Sequence, residues 1–388
     1  MRLLFYATNG LGLGHVTRLL TIIRAIRRQD PSHEILFVTR CEAGPYPKED
    51  DVFTLRIPGP SRARSSGLTP KSYYQMVHLL LWQAASSFDP HLLVVDTFPA
   101  GPEEELTPLM KWPIRKAFVY RDSRADACNS PDFRKSLDPY QTILVAHDAG
   151  TVRLPDFLKK DPRVHFTGVI SDGTGQTDDG EKKRKEVRDR LGLSGEPTAL
   201  VTMGGGGDPE AMRILPTVTG WLRRKGVPFL VATGPLLREI PPCITAREWF
   251  PAWPLAPWIP GFDMAVSSAG YNTVSELRSA KIPSLLIPFA RDLDDQEKRV
   301  SEVLGEGWAI QAPSTSEHDL FDGLSRLIEK SSHPTERGLP SPQTGNTADR
   351  RKGADRAAEL LLSYLPRKNE PDSPLTPSDR EPLRAASL

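Results

Sequence analysis

The sequence predicts an α/β protein of two doubly wound, Rossmann-like parallel-sheet domains with a cleft between them. Three observations predict it. Short apolar runs suited to buried parallel strands alternate with stretches of helical periodicity. Strand, glycine loop and helix follow one another at the start of each half, over 3–26 and again over 198–224. A polar, glycine-rich stretch at 171–185 separates the halves, in a chain whose 388 residues exceed what one core usually organises.

Taken in order, 3–8 is an apolar run, 9–14 a glycine-rich turn, and Val16, Leu19, Leu20, Ile22, Ile23 and Ile26 recur at helical spacing until Asp30-Pro31 stops them. Glu34 to Thr39 is the next strand, so the opening is a β-α-β unit. His91 to Val95 is a strand with Asp96 at its end, and 116–120, 142–146 and 164–169 complete an N-terminal domain over 1–170. After the linker at 171–185, strands at 198–203, 228–233, 263–267 and 283–287, with helices at 210–224 and from Thr273, make a C-terminal domain over 186–332. Pro, Ser, Gly and Thr dominate 333–350, expected to be a flexible loop; 351–365 reads as a helix and 366–388 as a disordered tail.

Composition excludes several classes. Lysine plus arginine (50) nearly cancels aspartate plus glutamate (49), which leaves no charge footprint for nucleic acid. The three cysteines, Cys41, Cys128 and Cys243, are far apart and indicate neither a disulfide framework nor a zinc site. The N-terminal apolar run is too short for a signal peptide, and no segment approaches the ~18 apolar residues of a membrane span. A cytoplasmic protein is expected, with peripheral contact to the inner face of a membrane as a further expectation.

Four segments carry candidate chemistry. Gly10-Leu11-Gly12-Leu13-Gly14-His15 joins strand to helix but matches neither the dinucleotide fingerprint nor a Walker A loop. It leaves His15 at a helix start on the C-terminal edge of a sheet, where open α/β sheets bind ligands. A helix N-terminus disfavours the imidazolium, so a neutral His15 suits a general base; a capping or packed histidine is the plain alternative. Asp96, on the same edge, could orient His15 and stabilise its cation, or could cap the following turn. Gly204, Gly205, Gly206 and Gly207 offer backbone N–H groups at a helix start, suited to a diphosphate, or make a flexible turn.

The fourth segment is Ser268-Ala269-Gly270-Tyr271-Asn272-Thr273-Val274-Ser275-Glu276, a small-residue loop opening a second helix. Asn272 or Thr273 can cap that helix or donate to phosphates, and Glu276 can accept from ribose hydroxyls or serve as a first-turn acid. Polar residues then crowd 291–296; Asp292 and Asp294 are discounted as metal ligands because no further ligands accompany them.

Together, Gly14-His15 with Arg18, the 204–207 loop and the block from Ser268 to Arg299 resemble the MurG-type glycosyltransferases and their UDP-sugar-using relatives, over roughly residues 1–330. Val95 to Gly101 and the pair Arg121-Asp122 match a branch of predicted glycosyltransferases of this kind. The resemblance implies a GT-B fold and an inverting, metal-independent hexosyl or N-acetylhexosaminyl transferase. The resemblance also implies a nucleotide-sugar co-substrate, UDP-linked, with no cofactor besides. By position, Gly205, Gly206, Gly207, Ser268, Gly270, Asn272 and Thr273 would surround the diphosphate, Glu276 the ribose, and Asp295 and Gln296 the donor sugar. Gly12, Gly14 and Arg18 would belong to the acceptor loop, with His15 as the base or a diphosphate partner.

Leu11 and Leu13 stand where MurG proper has glycines, which counts against a polyprenyl-diphosphate acceptor; a glycan, lipid or small molecule remains open. Arg62, Arg64, Tyr73, Tyr74 and Trp82 are candidates to line the acceptor site or touch a membrane, the plain alternative being a mobile loop and an amphipathic helix. Two other functions fit parts of the pattern: a UDP-sugar hydrolase of the PseG type, which shares the Gly-x-Gly-His-x-x-Arg loop, and a non-catalytic sugar-nucleotide-binding subunit, which would not need His15.

Overall fold

The structure is a computed structural model and describes residues 1–8, 13–41, 52–122, 128–171, 180–237, 239–291, 294–332 and 350–365. The chain divides into two compact units: the first takes the chain up to Ile170, apart from a short segment ending at Gly14, and resumes at Lys352; the second takes that segment and the chain from Ser171 to Arg351.

The first unit is a seven-stranded sheet. Its strands are β1 (Arg2–Ala7), β2 (Glu34–Thr39), β3 (Phe53–Arg56), β4 (Leu92–Asp96), β5 (Arg115–Tyr120), β6 (Thr142–Val145) and β7 (Val164–Phe166). They lie in the order β3-β2-β1-β4-β5-β6-β7, every pairing parallel. β1 and β4 are buried almost throughout, as strands covered on both faces must be. The helix α1 (Gly14–Gln29) follows β1, burying Val16, Leu19, Leu20, Ile22, Ile23 and Ile26 and ending on Arg27 and Arg28, cations that suit the negative end of the helix dipole.

α2 (Pro60–Ser65) and α3 (Pro70–Phe88) follow β3. α3 starts with Pro70 behind an N-cap, Thr69, whose side chain accepts from Ser72 N, and it buries one stripe, Tyr73, Val77, Leu81 and Ala85. The short helices α4 (Thr107–Met110) and α5 (Pro131–Ser136) complete the main part of this unit.

The chain returns to the first unit through its last described helix. The second unit contributes the intervening helices α6 (Gly180–Leu191), α7 (Pro209–Arg224), α8 (Tyr271–Ala280), α9 (Gln296–Leu304) and α10 (Glu317–Ser332), and α11 (Arg350–Ser363) comes last. α11 buries Ala354, Ala357, Ala358 and Leu361. It approaches so closely that a Cβ on Gly353 would overlap the Val169 carbonyl. Asp355 pairs with Arg28 at 2.7 Å, and the Tyr364 carbonyl accepts from Arg115 at 2.8 Å.

The second unit has six parallel strands, β8 (Ala199–Thr202), β9 (Phe229–Thr233), β10 (Trp249–Pro251), β11 (Met264–Ser268), β12 (Ser284–Ile287) and β13 (Ala309–Gln311), in the order β10-β9-β8-β11-β12-β13. Alternation divides its core in two. Val201, Val231, Val266, Leu285 and Ile310 meet α7 and α10 on one face; Leu200, Leu230, Ala265 and Leu286 meet α8 and α9 on the other. Helix α6 buries no residue of its own and docks through arginine: Arg184 reaches Asp263 at 2.6 Å and Arg188 at 3.3 Å. Residues 180–185, expected to end the linker, are therefore its first turns. The rest of that linker from 172 to 179, residues 333–349 of the expected flexible loop and the whole tail lie outside the described residues.

In both sheets the strand order reverses once, between β1 and β4 and between β8 and β11. At such a switch point the connections leave to opposite faces of the sheet, and the carboxyl ends of the two strands flank a crevice.

Candidate active site

The switch point of the first sheet holds a buried trio from α1 and β4. Gly14 opens α1, His15 is its second residue and Arg18 lies one turn on; Asp96 is the last residue of β4. His15 Nδ1 is 2.7 Å from Asp96 Oδ2. Arg18 Nη1 donates to both carboxylate oxygens, at 2.6 Å and 2.9 Å. The Arg18 and Asp96 side chains are fully buried, whereas the imidazole keeps 16% of its surface. Moving a pair of ions out of water costs several kcal/mol for each, so such a pair is poor value as a stabiliser.

Electrostatics assign the tautomer. Burial pushes the Asp96 carboxyl up, but Arg18 and His15 together outweigh it and hold it below the usual carboxylate range. An ionised carboxylate only accepts, so Nδ1 carries the imidazole proton and Nε2 the lone pair. Burial holds His15 below the ordinary histidine range, with Arg121 and Arg18 adding to it and Asp96 opposing. The sequence attributes a neutral His15 to the helix start; in the structure burial is the first cause.

Two further side chains meet the imidazole. Thr97 Oγ1 is 3.0 Å from Nδ1, and the Phe98 ring lies 5.8 Å away at 60°. Both lie in the 95–101 segment that the sequence resemblance singles out, but nothing in a single chain marks which turn residue will face a histidine. Arg18, expected in the acceptor loop, is fully buried and faces Asp96, helping to hold that carboxylate ionised. Gly12 lies outside the described residues.

The segment after β4 is tied down by a buried polar network that the sequence did not reveal. Glu105 accepts from Tyr6 Oη at 2.5 Å and from Arg40 Nη1 at 2.7 Å, and Arg40 also pairs with Glu103. The Tyr140 hydroxyl donates to the Pro99 carbonyl. Tyr73, a candidate acceptor contact, instead accepts from Arg40 Nε at 3.1 Å and donates to Pro58 O at 2.8 Å within the core. Trp82 and Tyr74 are partly buried, Trp82 edge-on to Trp112 at 6.4 Å. Arg62 and Arg64 are exposed. The large apolar side chains that α3 exposes are Met76, Leu79 and Leu80.

The switch point of the second sheet gathers the small-residue loops. Gly204 and Gly206 have positive φ, 72° and 83°, which only glycine adopts without penalty. The loop leans on Gly234, where a Cβ would overlap the backbone of Gly204 and Gly205, and Leu236 N donates to Gly205 O at 2.9 Å. Gly204 lies beside Ser268, whose Oγ is 3.6 Å from where a Cβ on Gly204 would stand. Gly207 leads into Asp208, which caps α7 by accepting from Glu210 N at 3.0 Å and Ala211 N at 3.4 Å. Arg291 bridges Asp208 and Glu210. The start of α7, expected to meet a diphosphate, thus already has a carboxylate on it.

The start of α8 differs. Its N-cap is Gly270, which has no side chain to cap it; neither Asn272 nor Thr273 takes that place. Ser268, Ala269 and Glu276 are buried, and the Asn272 Oδ1 is buried without a hydrogen-bond partner. Arg299 brings a cation to this loop: it donates to Ala269 O at 2.8 Å and pairs with Asp294 at 2.5 Å. Asp295 caps α9 by accepting from Lys298 N at 3.0 Å, and buried Gln296 accepts from Phe289 N at 3.0 Å. Both therefore shape the loop between β12 and α9. Arg299, missed as a site residue, follows Asp295 by one helical turn, a spacing readable in the sequence.

Among the described residues no group of three or more His, Cys, Asp or Glu is arranged as a metal site, and no helix is long and apolar enough to cross a membrane. Asp292 is outside the described residues.

No family model matches the chain. It is similar to the UDP-N-acetylglucosamine–N-acetylmuramyl-(pentapeptide) pyrophosphoryl-undecaprenol N-acetylglucosamine transferase of Pseudomonas fluorescens, 42% identical over 69 residues, 17% of this chain and 19% of that one. The enzyme of the same name from Streptomyces coelicolor is 28% identical over 172 residues, 41% of this chain and 45% of the relative. The chain thus spans less than half the length of these relatives. Among solved structures, the glycosyltransferase of kitacinnamycin is 16% identical with a TM-score of 0.57, covering 94% of this chain and 99% of that one. The UDP-GlcNAc 2-epimerase of Methanocaldococcus jannaschii, solved with UDP-GlcNAc and UDP, is 13% identical with a TM-score of 0.59, covering 94% and 100%. These likenesses show the fold: two Rossmann-like parallel-sheet units of the GT-B type, as the sequence predicts.

Proposed function

We propose that the chain is an inverting, metal-independent glycosyltransferase that moves a hexosyl or N-acetylhexosaminyl group from a UDP-sugar to an acceptor hydroxyl. The observation that carries the proposal is the pairing of His15 Nδ1 with Asp96 at 2.7 Å at the switch point of the first sheet. It leaves an imidazole that is neutral, oriented, and basic at Nε2. His15 takes the proton of the acceptor hydroxyl as its oxygen attacks the anomeric carbon, and Asp96 stabilises the imidazolium that forms. The bond from the anomeric carbon to the diphosphate breaks on the opposite face, and the electron pair leaves with the nucleotide. Backbone N–H groups of the 204–207 loop and the start of α8, with Arg299 nearby, meet that charge.

The partial likeness to N-acetylglucosamine transferases supports the donor class. The acceptor is a glycan, a lipid or a small molecule. Exposed Met76, Leu79 and Leu80 on α3, close in sequence to Arg62, Arg64 and Lys71, suit peripheral contact with an apolar, anionic membrane surface.

The test is nucleotide release from UDP-, GDP- and dTDP-sugars, with and without cell extract as acceptor source and with and without EDTA. Release that needs extract, survives EDTA and is lost in His15→Ala is expected. Release with water alone would make the chain a sugar-nucleotide hydrolase. Binding without release, unaffected by His15→Ala, would make it a binding subunit.

A further inference from the structure

Thr97 holds a backbone conformation that a β-branched residue rarely adopts. Its φ is +64°. Phe98 N donates to Asp96 O at 2.8 Å, so residues 96–98 close a γ-turn of the rare positive-φ kind. Thr97 N still donates to Val119 O at 3.0 Å, so the turn begins while the strand is paired with β5. Beyond it, the chain is gripped at Pro99 by Tyr140 and at Glu105 by Tyr6 and Arg40. Strain of this sort survives where surroundings over-determine it, and it gathers at working sites.

The turn has a direct consequence at His15. In an extended strand, neighbouring residues project to opposite faces, so Asp96 and Thr97 could not reach the same atom. Here both do: Asp96 Oδ2 lies 2.7 Å and Thr97 Oγ1 3.0 Å from His15 Nδ1. Asp96 Oδ2 is also engaged by Arg18 at 2.9 Å, so the carboxylate is not given to His15 alone.

We propose that Thr97 is a positioning residue: its strained turn supplies a second acceptor to the Nδ1–H of His15, fixing the ring's rotation and tautomer so that Nε2 presents its lone pair to the acceptor hydroxyl. This rests on the assignment of His15 as the base. The charged groups acting on the imidazole are Asp96, Arg18 and Arg121. Thr97 adds no charge, so its loss loosens the ring without greatly moving the pH at which it titrates.

Three variants of the full chain test it. Thr97→Val keeps the shape and removes the hydroxyl. Thr97→Gly removes the hydroxyl and relieves the backbone, which guards against a Val variant that fails to fold. Thr97→Ser keeps the hydroxyl. Histidine 15N NMR reports the His15 tautomer and the exchange rate of its Nδ1–H, whatever the reaction. Release of UDP from a UDP-sugar with cell extract reports kcat and KM. Val and Gly are expected to speed Nδ1–H exchange several-fold and to lower kcat about 3- to 10-fold with KM for the UDP-sugar unchanged, while Ser stays near wild type. Unchanged Nδ1–H exchange and ring shifts in both Val and Gly variants overturn the proposal. Altered exchange in those variants, alongside turnover that His15→Ala does not reduce, upholds the hold of Thr97 on His15 and removes only the assignment of His15 as the base.

Discussion

Asp96→Asn separates what one carboxylate does for two partners. Arg18 Nη1 takes both oxygens, at 2.6 Å and 2.9 Å, and His15 takes one of them at 2.7 Å. Asparagine offers one accepting oxygen and one donating amino group. Arg18 is fully buried and permanently charged, so it claims the oxygen. The amino group then faces His15, whose Nδ1 must accept, and the proton moves to Nε2. The base is lost without any movement of the backbone. A wrong tautomer in a buried triad lowers turnover by about 10⁴-fold, or ~5 kcal/mol. Leaving Arg18 without its counter-charge costs a further ~3–5 kcal/mol of stability. Pairing the change with Arg18→Met removes the competitor. The amide can then turn its oxygen to His15 and restore the working tautomer. The double variant is expected to release UDP about 10- to 100-fold faster than Asp96→Asn alone, with a higher melting temperature. UDP release with extract, thermal melts and histidine 15N spectra read all three. A double variant no faster than the single one, or a single variant whose His15 still keeps its proton on Nδ1, would refute the reasoning.

His15 is held below the ordinary histidine range by burial, so kcat/KM should climb through a midpoint under about 6.5 and then level off; a midpoint above that value would contradict the assignment. The same shift bears on stability. As pH falls below ~6.5 the unfolded chain takes up the proton first, so stability complete above that pH is lost as pH falls through the folded value. Melts at pH 5 and pH 7 should then show a smaller acid loss in His15→Gln than in wild type. Gly234→Ala would push its methyl into the backbone of Gly204 and Gly205. It should lower UDP affinity by calorimetry about 10-fold and cost ~1–3 kcal/mol of stability. Gly353→Ala, whose methyl would meet the Val169 carbonyl, should cost a similar ~1–3 kcal/mol but leave UDP affinity unchanged, since both groups belong to the first unit. Phe98→Ala opens the side of the imidazole that a ring 5.8 Å away now screens. The share of UDP released without extract should rise at least two- to three-fold (an order-of-magnitude expectation for admitting water); an unchanged share would remove Phe98 from that role.

Much of the fold was legible because it is written in local patterns. Buried parallel strands read as short apolar runs, and the helices after β1 and β8 read as periodic stripes introduced by glycines. β3 leaves no strand signal in the sequence because its four residues, Phe53 to Arg56, are half-exposed and end on an arginine. The start of α6 reads as linker because the helix is largely charged and docks by ion pairs to Asp263 instead of by an apolar stripe. At the site, His15 and Asp96 could be placed on one sheet edge from strand ends alone. Whether they touch depends on strand order, which puts β4 beside β1 although 81 positions separate the two residues. Thr97 depends on a φ angle, and Arg18 on which face of α1 turns inward, and neither is a property of residue type.

The solved structures that share this fold include both transferases and an epimerase, so the fold leaves the chemistry to the site. A neutral imidazole beside a sugar nucleotide removes a proton from a sugar hydroxyl or from water with similar ease, because the two acids differ little. The base therefore cannot decide between transfer and hydrolysis. That decision falls to whatever keeps water off Nε2 and brings one hydroxyl to it in line with the anomeric carbon. In this chain the residues with that opportunity are the last of β4 and the two that follow it. Asp96 sets the proton on Nδ1, Thr97 stops the ring turning, and Phe98 presents an apolar face to it. Three consecutive residues serve tautomer, orientation and exclusion of water only because the γ-turn between them breaks the alternation that a strand would impose.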